Sequence, residues 1–201
     1  MWVIKLGGSL LWDAALADWV GACVRVTAEG TPLVVCPGGG VFADYIRATD
    51  KAQALGEGLA HDLAILAMRQ TATVIQHRYP HLTPCPRISD LPRAAGTGAL
   101  WFPDPMDPAL RQVAASWTVS ADTLALEVAR QLGANGLIVV KSAAPAHATG
   151  LPEQVKAGWI DAAFPAASAD FGHPIRWALA DESHLLDVLI SANGHPDRGL
   201  C

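Results

Sequence analysis

The chain has 201 residues, 51% of them hydrophobic and 16% charged, with a formal net charge of −5 at pH 7. That composition excludes a disordered chain and suits one α/β domain spanning residues 1–201 with a sizeable core. It also argues against nucleic acid or an anionic membrane as a partner, since both call for a positive footprint and the basic residues here are scattered.

No stretch approaches the roughly 18 uninterrupted apolar residues of a membrane helix, and the first residues lack a charged leader region followed by a cleavable apolar stretch. The four cysteines, Cys23, Cys36, Cys85 and Cys201, show no Cys-x-x-Cys spacing. The expectation is a cytoplasmic protein with reduced thiols.

In chain order, Trp2–Leu6 is a short apolar run closed by Gly7-Gly8-Ser9 and reads as a buried strand. Leu11, Leu16, Trp19, Val20, Cys23 and Val24 then recur at helical spacing up to Gly30. Residues 32–36 form the second strand, closed by Pro37-Gly38-Gly39-Gly40, which completes a strand–loop–helix–strand unit of parallel type.

A helix is expected from Val41 to about Thr49, and another over 57–71. The second is alanine-rich, with Leu59, Leu63, Leu66 and Ala67 on one face, a pattern for core packing or for packing on another helix or subunit. Thr73-Val74-Ile75 reads as a short strand, residues 78–97 as mostly loop, and Ala99–Phe102 as a strand before the proline-rich turn Pro103–Pro108. Ser120 is a fitting N-cap for a helix running to about Leu132, and Leu137–Lys141 is a strong buried strand. A small helical patch near Trp159–Ala163, a strand at Ile175–Leu179 and a helix at Glu182–Leu189 complete the pass. This alternation predicts a mainly parallel sheet covered on both faces, a three-layer αβα sandwich.

Glycine just past a strand lets the backbone approach a ligand and offer N–H groups to it. Two such loops on one sheet suit two anionic groups, and Lys5 stands at the first loop. Lys141 ends a later strand, and Asp122 sits in the first turn of a helix. Strand carboxyl ends and helix N-termini share one edge of such a sheet, where ligands bind. One aspartate there could hold two ammonium groups aimed at a transferring phosphoryl group; alone, it would simply favour the helix dipole.

The segments Lys5-Leu6-Gly7-Gly8-Ser9, Val35-Cys36-Pro37-Gly38-Gly39-Gly40 and Thr118-Val119-Ser120-Ala121-Asp122-Thr123 resemble, in order and spacing, the amino acid kinase family, over roughly residues 1–141. That family includes acetylglutamate kinase, aspartokinase, carbamate kinase and bacterial uridylate kinase. The Gly-x-x-x-x-Gly-Lys-Ser/Thr loop of Walker-type enzymes is missing.

The resemblance implies an ATP-dependent phosphotransferase using Mg²⁺, with Lys5, Asp122 and Lys141 in catalytic roles. It assigns Gly7, Gly8 and Ser9 to the nucleotide phosphates, and Gly38, Gly39, Gly40, His61 and Ser120 to the acceptor. No protein metal ligand is implied. A homo-oligomer built through the helix near 57–71 is expected by the same resemblance.

A narrower likeness rests on Gly58–Met68 and Trp117–Asp122. These resemble the small kinases of methanofuran-type cofactor synthesis, which implies an aminomethylfuran phosphate as acceptor.

One departure stands out. Many relatives place an Asp-Gly-hydrophobic-aromatic turn after the strand that ends near Lys141. Here the chain reads Lys141-Ser142-Ala143-Ala144-Pro145-Ala146-His147. That keeps open a second reading, an anion-binding or storage protein on the same fold with catalysis reduced. A dinucleotide oxidoreductase is disfavoured because the first loop is not Gly-x-Gly-x-x-Gly. His77 and His81 have the spacing of a helical metal pair, but Tyr79-Pro80 breaks the helix between them. Trp117 and Trp159 are candidates for stacking on a ring, against ordinary core packing. Asp161 has the look of a helix start with no assigned role.

Overall fold

Six strands form one sheet, all parallel, in the order β3-β4-β2-β1-β5-β6. In chain order the elements are β1 (Trp2–Leu6), α1 (Ala15–Ala28), β2 (Leu33–Pro37), α2 (Gly40–Gln53), α3 (Glu57–Arg78), β3 (Thr83–Cys85), α4 (Leu91–Ala94), β4 (Ala99–Trp101), α5 (Ala121–Gln131), β5 (Leu137–Lys141), α6 (Leu151–Lys156), α7 (Phe164–Ser168), β6 (Ile175–Leu179) and α8 (Leu186–Ser191). The computed structural model describes residues 1–144 and 150–191, so Pro145, Ala146, His147 and Cys201 lie outside the described residues.

The central strands are buried along their length, which is why they read as unbroken apolar runs. Side chains alternate between the faces. Trp2, Ile4 and Leu6 join Leu16, Trp19, Val20 and Cys23 of α1 on one side. Val3, Val34 and Val139 join Leu124, Ala125 and Val128 of α5 on the other. Lys5 is paired in register with Val139, so Lys5 and Lys141 emerge on the same face as α5, at the carboxyl edge of the sheet.

Four expectations are corrected. Thr73-Val74-Ile75 is not a strand but part of the 22-residue helix α3. β-branched propensity loses to packing there, because Ala72 and Ile75 are buried at helical spacing. The hydroxyls of Thr71 and Thr73 donate to the carbonyls four residues back, at 3.3 and 2.9 Å.

The α3 core face is also rotated from the expected one. Leu59 is 51% and Leu66 39% exposed, whereas Ala60, His61, Ile65 and Met68 are buried. Residues 78–97 are not mostly loop, since they hold the edge strand β3 and the short helix α4. The patch at Trp159–Ala163 is a turn region between α6 and α7.

Cys23, Cys36 and Cys85 are buried free thiols. Burial pushes the Cys23 thiol up to about 12 and Cys36 higher still, so neither behaves as a nucleophile.

Candidate active site

The two glycine loops pack on each other. A Cβ on Gly8 would lie 2.1 Å from the Gly40 backbone nitrogen, and one on Gly38 would lie 2.4 Å from the Gly8 nitrogen. Gly40 also takes φ +54, a conformation that disfavours other residues. The glycines are thus required first by backbone-to-backbone contact, which fixes the distance between the loops.

The loops divide their donors. Gly7 N–H donates to the Val140 carbonyl and Gly38 N–H to the Leu6 carbonyl, at 3.1 and 2.8 Å, so both are spent on extending the sheet. Gly8 opens a 3-10 turn (Gly8–Trp12) and Gly40 opens α2, and neither helical start carries a side-chain cap. First-turn N–H groups have no partner within their helix, so these two starts leave donors at the loops.

The cleft has two lobes of about 520 Å³ each. One runs along Gly38–Gly40, Arg47, His61, Trp117 and Ser120. The other runs along Gly7, Ser142, Ala143 and Ala144. Lys5, Gly8, Ser9, Lys141, Gly158 and Trp159 line both and form the junction.

At the junction, Lys5 Nζ lies 2.8 Å from Asp122 Oδ1, and Lys141 Nζ donates to Asp122 Oδ2 at 2.6 Å. Asp122 is 2% and Lys5 5% exposed. Lys5 and Asp122 form a buried ion pair, and an ammonium carries three N–H donors, of which one carboxylate oxygen occupies at most one. The Lys5 ammonium therefore has donors to aim elsewhere. Lys141 is more fully engaged, with its ammonium also donating to the Trp159 carbonyl and lying 5.4 Å from the Trp159 ring centre.

Burial alone would raise the Asp122 carboxyl, but the charges of Lys5 and Lys141 outweigh it and hold the group below the ordinary carboxylate range. Burial and the like charge of Lys5 pull Lys141 down to about 8, against the pull of Asp122 and Asp161. The array thus carries a net positive charge near neutral pH, and part of it titrates in the physiological range.

Asp161, which the sequence left without a role, is the most heavily bonded carboxylate near the site. Its Oδ2 accepts from Ser120 N–H (2.9 Å), Ser120 Oγ (2.8 Å) and Thr123 N–H (3.0 Å). Its Oδ1 accepts from Thr123 Oγ1 (2.6 Å) and Phe164 N–H (2.9 Å). Ser120 also caps α5 as expected, through a longer 3.4 Å bond to Asp122 N–H, and its hydroxyl proton goes to Asp161.

His61 is buried on α3 and lines the first lobe. Burial lowers its imidazole pKa, offset only in part by the Asp62 charge and the Ser116 backbone. Trp117 donates its indole N–H to Asp50 at 2.8 Å and lies beneath the Arg47 guanidinium, 5.0 Å from the ring centre. Trp159 packs against Trp177 and donates to the Ala143 carbonyl. Arg47 and Asp161 were not anticipated from the sequence. The contacts that bring them to the site, Arg47 with Trp117 and Asp161 with Ser120 and Thr123, cross tens of residues of chain, so no local pattern marks that role.

No protein-family model matches the chain. Over 142 residues it is 28% identical to the [5-(aminomethyl)furan-3-yl]methyl phosphate kinase of Methanocaldococcus jannaschii. The match covers 69% of this chain and 64% of that relative, so the chain spans less than two thirds of the relative's length.

Among solved structures, uridylate kinase from Archaeoglobus fulgidus superposes with a TM-score of 0.67 at 14% identity, covering 94% of this chain and 95% of that one. The chain has the amino acid kinase fold. UMP kinase from Ureaplasma parvum agrees, with a TM-score of 0.66 at 14% identity and 96% of both chains covered. Aspartate kinase from Synechocystis matches 89% of this chain with 37% of its own length, at 13% identity and a TM-score of 0.61.

Among the described residues no group of three or more His, Cys, Asp or Glu side chains could hold a metal ion, and the His77/His81 pair forms no such cluster. No helix among them is long and apolar enough to cross a membrane.

Proposed function

We propose that the protein is an ATP-dependent small-molecule kinase that phosphorylates a phosphate group, with an aminomethylfuran phosphate as acceptor. The observation that carries this reading is the Lys5–Asp122–Lys141 array at the junction of two lobes that share both lysines and a glycine loop. The likeness to the Methanocaldococcus phosphate kinase supports the acceptor class.

The lobe of Gly7, Gly8, Ser9 and Ser142–Ala144 suits the donor nucleotide, because small residues and backbone groups leave room for a triphosphate. The N–H groups from Gly8 onward, with the Ser9 hydroxyl, would hold its phosphates. The lobe of Gly39, Gly40, His61 and Ser120 suits the acceptor, with Gly38 shaping the loop and not donating. A phosphate acceptor is largely an oxyanion at neutral pH, with its second pKa near ~6, so it needs no general base. Its oxygen attacks the terminal phosphorus of ATP and forms a new P–O bond. The bond from that phosphorus to the bridging oxygen breaks, and ADP leaves.

Charge spreads over the transferring oxygens as this happens. Lys5 and Lys141, held by Asp122, would meet it without reorganisation. Mg²⁺, as the counter-ion of the ATP phosphates, would neutralise part of that charge when bound. Among the described residues no carboxylate cage stands ready for it.

A cytoplasmic homo-oligomer belongs to the same reading. Its supports are the reduced buried thiols and the exposed Val41, Tyr45, Leu59 and Leu66 on α2 and α3, and its check is native mass.

The test is turnover of ATP with the aminomethylfuran phosphate, together with a thermal shift by ATP. A ligand at 100 times its Kd stabilises the folded state by about 2.7 kcal/mol. Binding without turnover would favour the storage reading, which the missing Asp-Gly turn after Lys141 supports.

A further inference from the structure

We propose that Asp161 is a positioning residue for the phosphoryl-transfer array, capping α5 from a different segment of the chain and so fixing Asp122 between Lys5 and Lys141. The inference rests on the kinase reading for its effect on turnover, but not for its geometry.

Asp122 sits in the first turn of α5, where a helix is most prone to fray and has its unpaired donors. The helix's own cap, Ser120, reaches Asp122 N–H only at 3.4 Å. The stronger bonds come from Asp161, whose two oxygens take five donors from three residues, two of them, Ser120 and Thr123, flanking Asp122. The same stretch supplies the Trp159 carbonyl that accepts from Lys141, and Ala163 N–H ties it to the Thr118 carbonyl at 2.9 Å. One turn between α6 and α7 therefore fixes both the carboxylate and the second ammonium group. A slip of that turn would misplace Asp122 and Lys141 together, while Lys5 stayed in the sheet.

The bonding pattern makes the requirement specific for a carboxylate. All five partners are donors, three on Oδ2 and two on Oδ1. An amide has one acceptor oxygen and would present its NH₂ to donors, so Asp161→Asn keeps at most three of the five bonds. Asp161 also contributes its charge to Lys141, alongside Asp122 and against Lys5.

The experiment is Asp161→Asn in the full chain, read in two ways. With ATP and the aminomethylfuran phosphate, kcat is expected to fall roughly tenfold to a hundredfold with little change in either KM, the pattern of lost transition-state positioning. In the ligand-free protein, NMR titration of ¹³C-labelled lysine is expected to show Lys141 losing its proton at lower pH than in the wild type, both in Asp161→Asn and in Thr123→Val, which keeps the Asp161 charge and loosens only the cap. A role confined to folding would lower the melting temperature and leave the titration of Lys141 and the kcat of the folded fraction unchanged, and that result overturns the proposal. If the wild type shows no turnover, the kinase reading fails, and the Lys141 titration in Thr123→Val, which keeps the Asp161 charge, still decides the placement. Should Asp161→Asn not fold, Thr123→Val removes one bond at constant volume; a severalfold lower kcat supports the proposal, and an unchanged kcat overturns it.

Discussion

The two lobes of the cleft meet at the same lysines but are built from different material. The Gly7–Ser9 and Ser142–Ala144 lobe is lined mostly by glycine, alanine and serine, with Trp159 as its one large wall. Recognition there falls to backbone groups and to the shared lysines, which suits phosphates and discriminates little between bases. The other lobe is lined by side chains with distinct chemistry: His61, Arg47 on the Trp117 ring, Asp44, Met68 and Ser120. That lobe can discriminate between acceptors. Under the proposed function, chemistry falls to the junction, generic phosphate binding to one side and specificity to the other.

The comparison breaks most severely at the junction. Lys5→Ala is expected to lower kcat by at least about 10²–10³, since a preorganised charge at the transferring group is lost. Circular dichroism should remain native. Asp122→Asn should lower kcat by a comparable factor. It should also destabilise the protein by about 3–5 kcal/mol in urea titration, because two buried ammonium groups lose their counter-charge.

Next in size is the contact between the loops. Gly8→Ala places a methyl 2.1 Å from Gly40 N and is expected to cost about 1–3 kcal/mol and at least a tenfold loss of kcat/KM. Gly21→Ala meets nothing within 4 Å in α1 and should be neutral or stabilise by about 0.5–1 kcal/mol.

The pH dependence follows from Lys141. Its folded value of about 8 lies below the ordinary lysine range. An anion bound beside it favours the protonated form, so the bound state holds more protons than the free state near pH 8. Nucleotide affinity should therefore fall as pH rises above about 8. Calorimetry in buffers of different ionisation enthalpy should show proton uptake on binding at that pH. Asp122 works the other way: its depressed carboxyl contributes stability above the unfolded value of about 3.9 that is lost as pH falls through the folded value.

The smallest effect is expected at the lobe that discriminates. Arg47→Ala should raise the acceptor KM about fivefold and leave the ATP KM unchanged, measured by initial rates. Equal changes in both constants would remove the distinction between the lobes.

Much of the fold was legible because parallel strands buried on both faces announce themselves as apolar runs. β1, β2, β4, β5 and β6 were all expected within a residue or two. Thr73–Ile75 was misread because its β-branched residues belong to a long helix whose burial outweighs propensity. β3 was missed because it is a three-residue edge strand with a proline in the middle. At the site, Lys5, Asp122, Lys141 and the glycine loops were legible because each sits at the end of a recognisable element. The division of labour inside the loops was not, since Gly7 and Gly38 look like free donors until their partners Val140 and Leu6 are seen. Asp161 was noticed only as a helix start, and it does accept from Phe164 N–H three residues on; its hold on α5 was not legible because Ser120 and Thr123 lie 38–41 residues away along the chain.

The central claim is that the Lys5–Asp122–Lys141 junction transfers a phosphoryl group between the lobes. Its most direct test is ³¹P NMR of the protein with Mg·ATP and the aminomethylfuran phosphate, beside Lys5→Ala. The account predicts one ADP per new organic diphosphate, with its coupled phosphorus pair, and neither product from the variant. A correctly folded wild type that binds ATP and yields no diphosphate, or a Lys5→Ala protein that yields it at the wild-type rate, would contradict it.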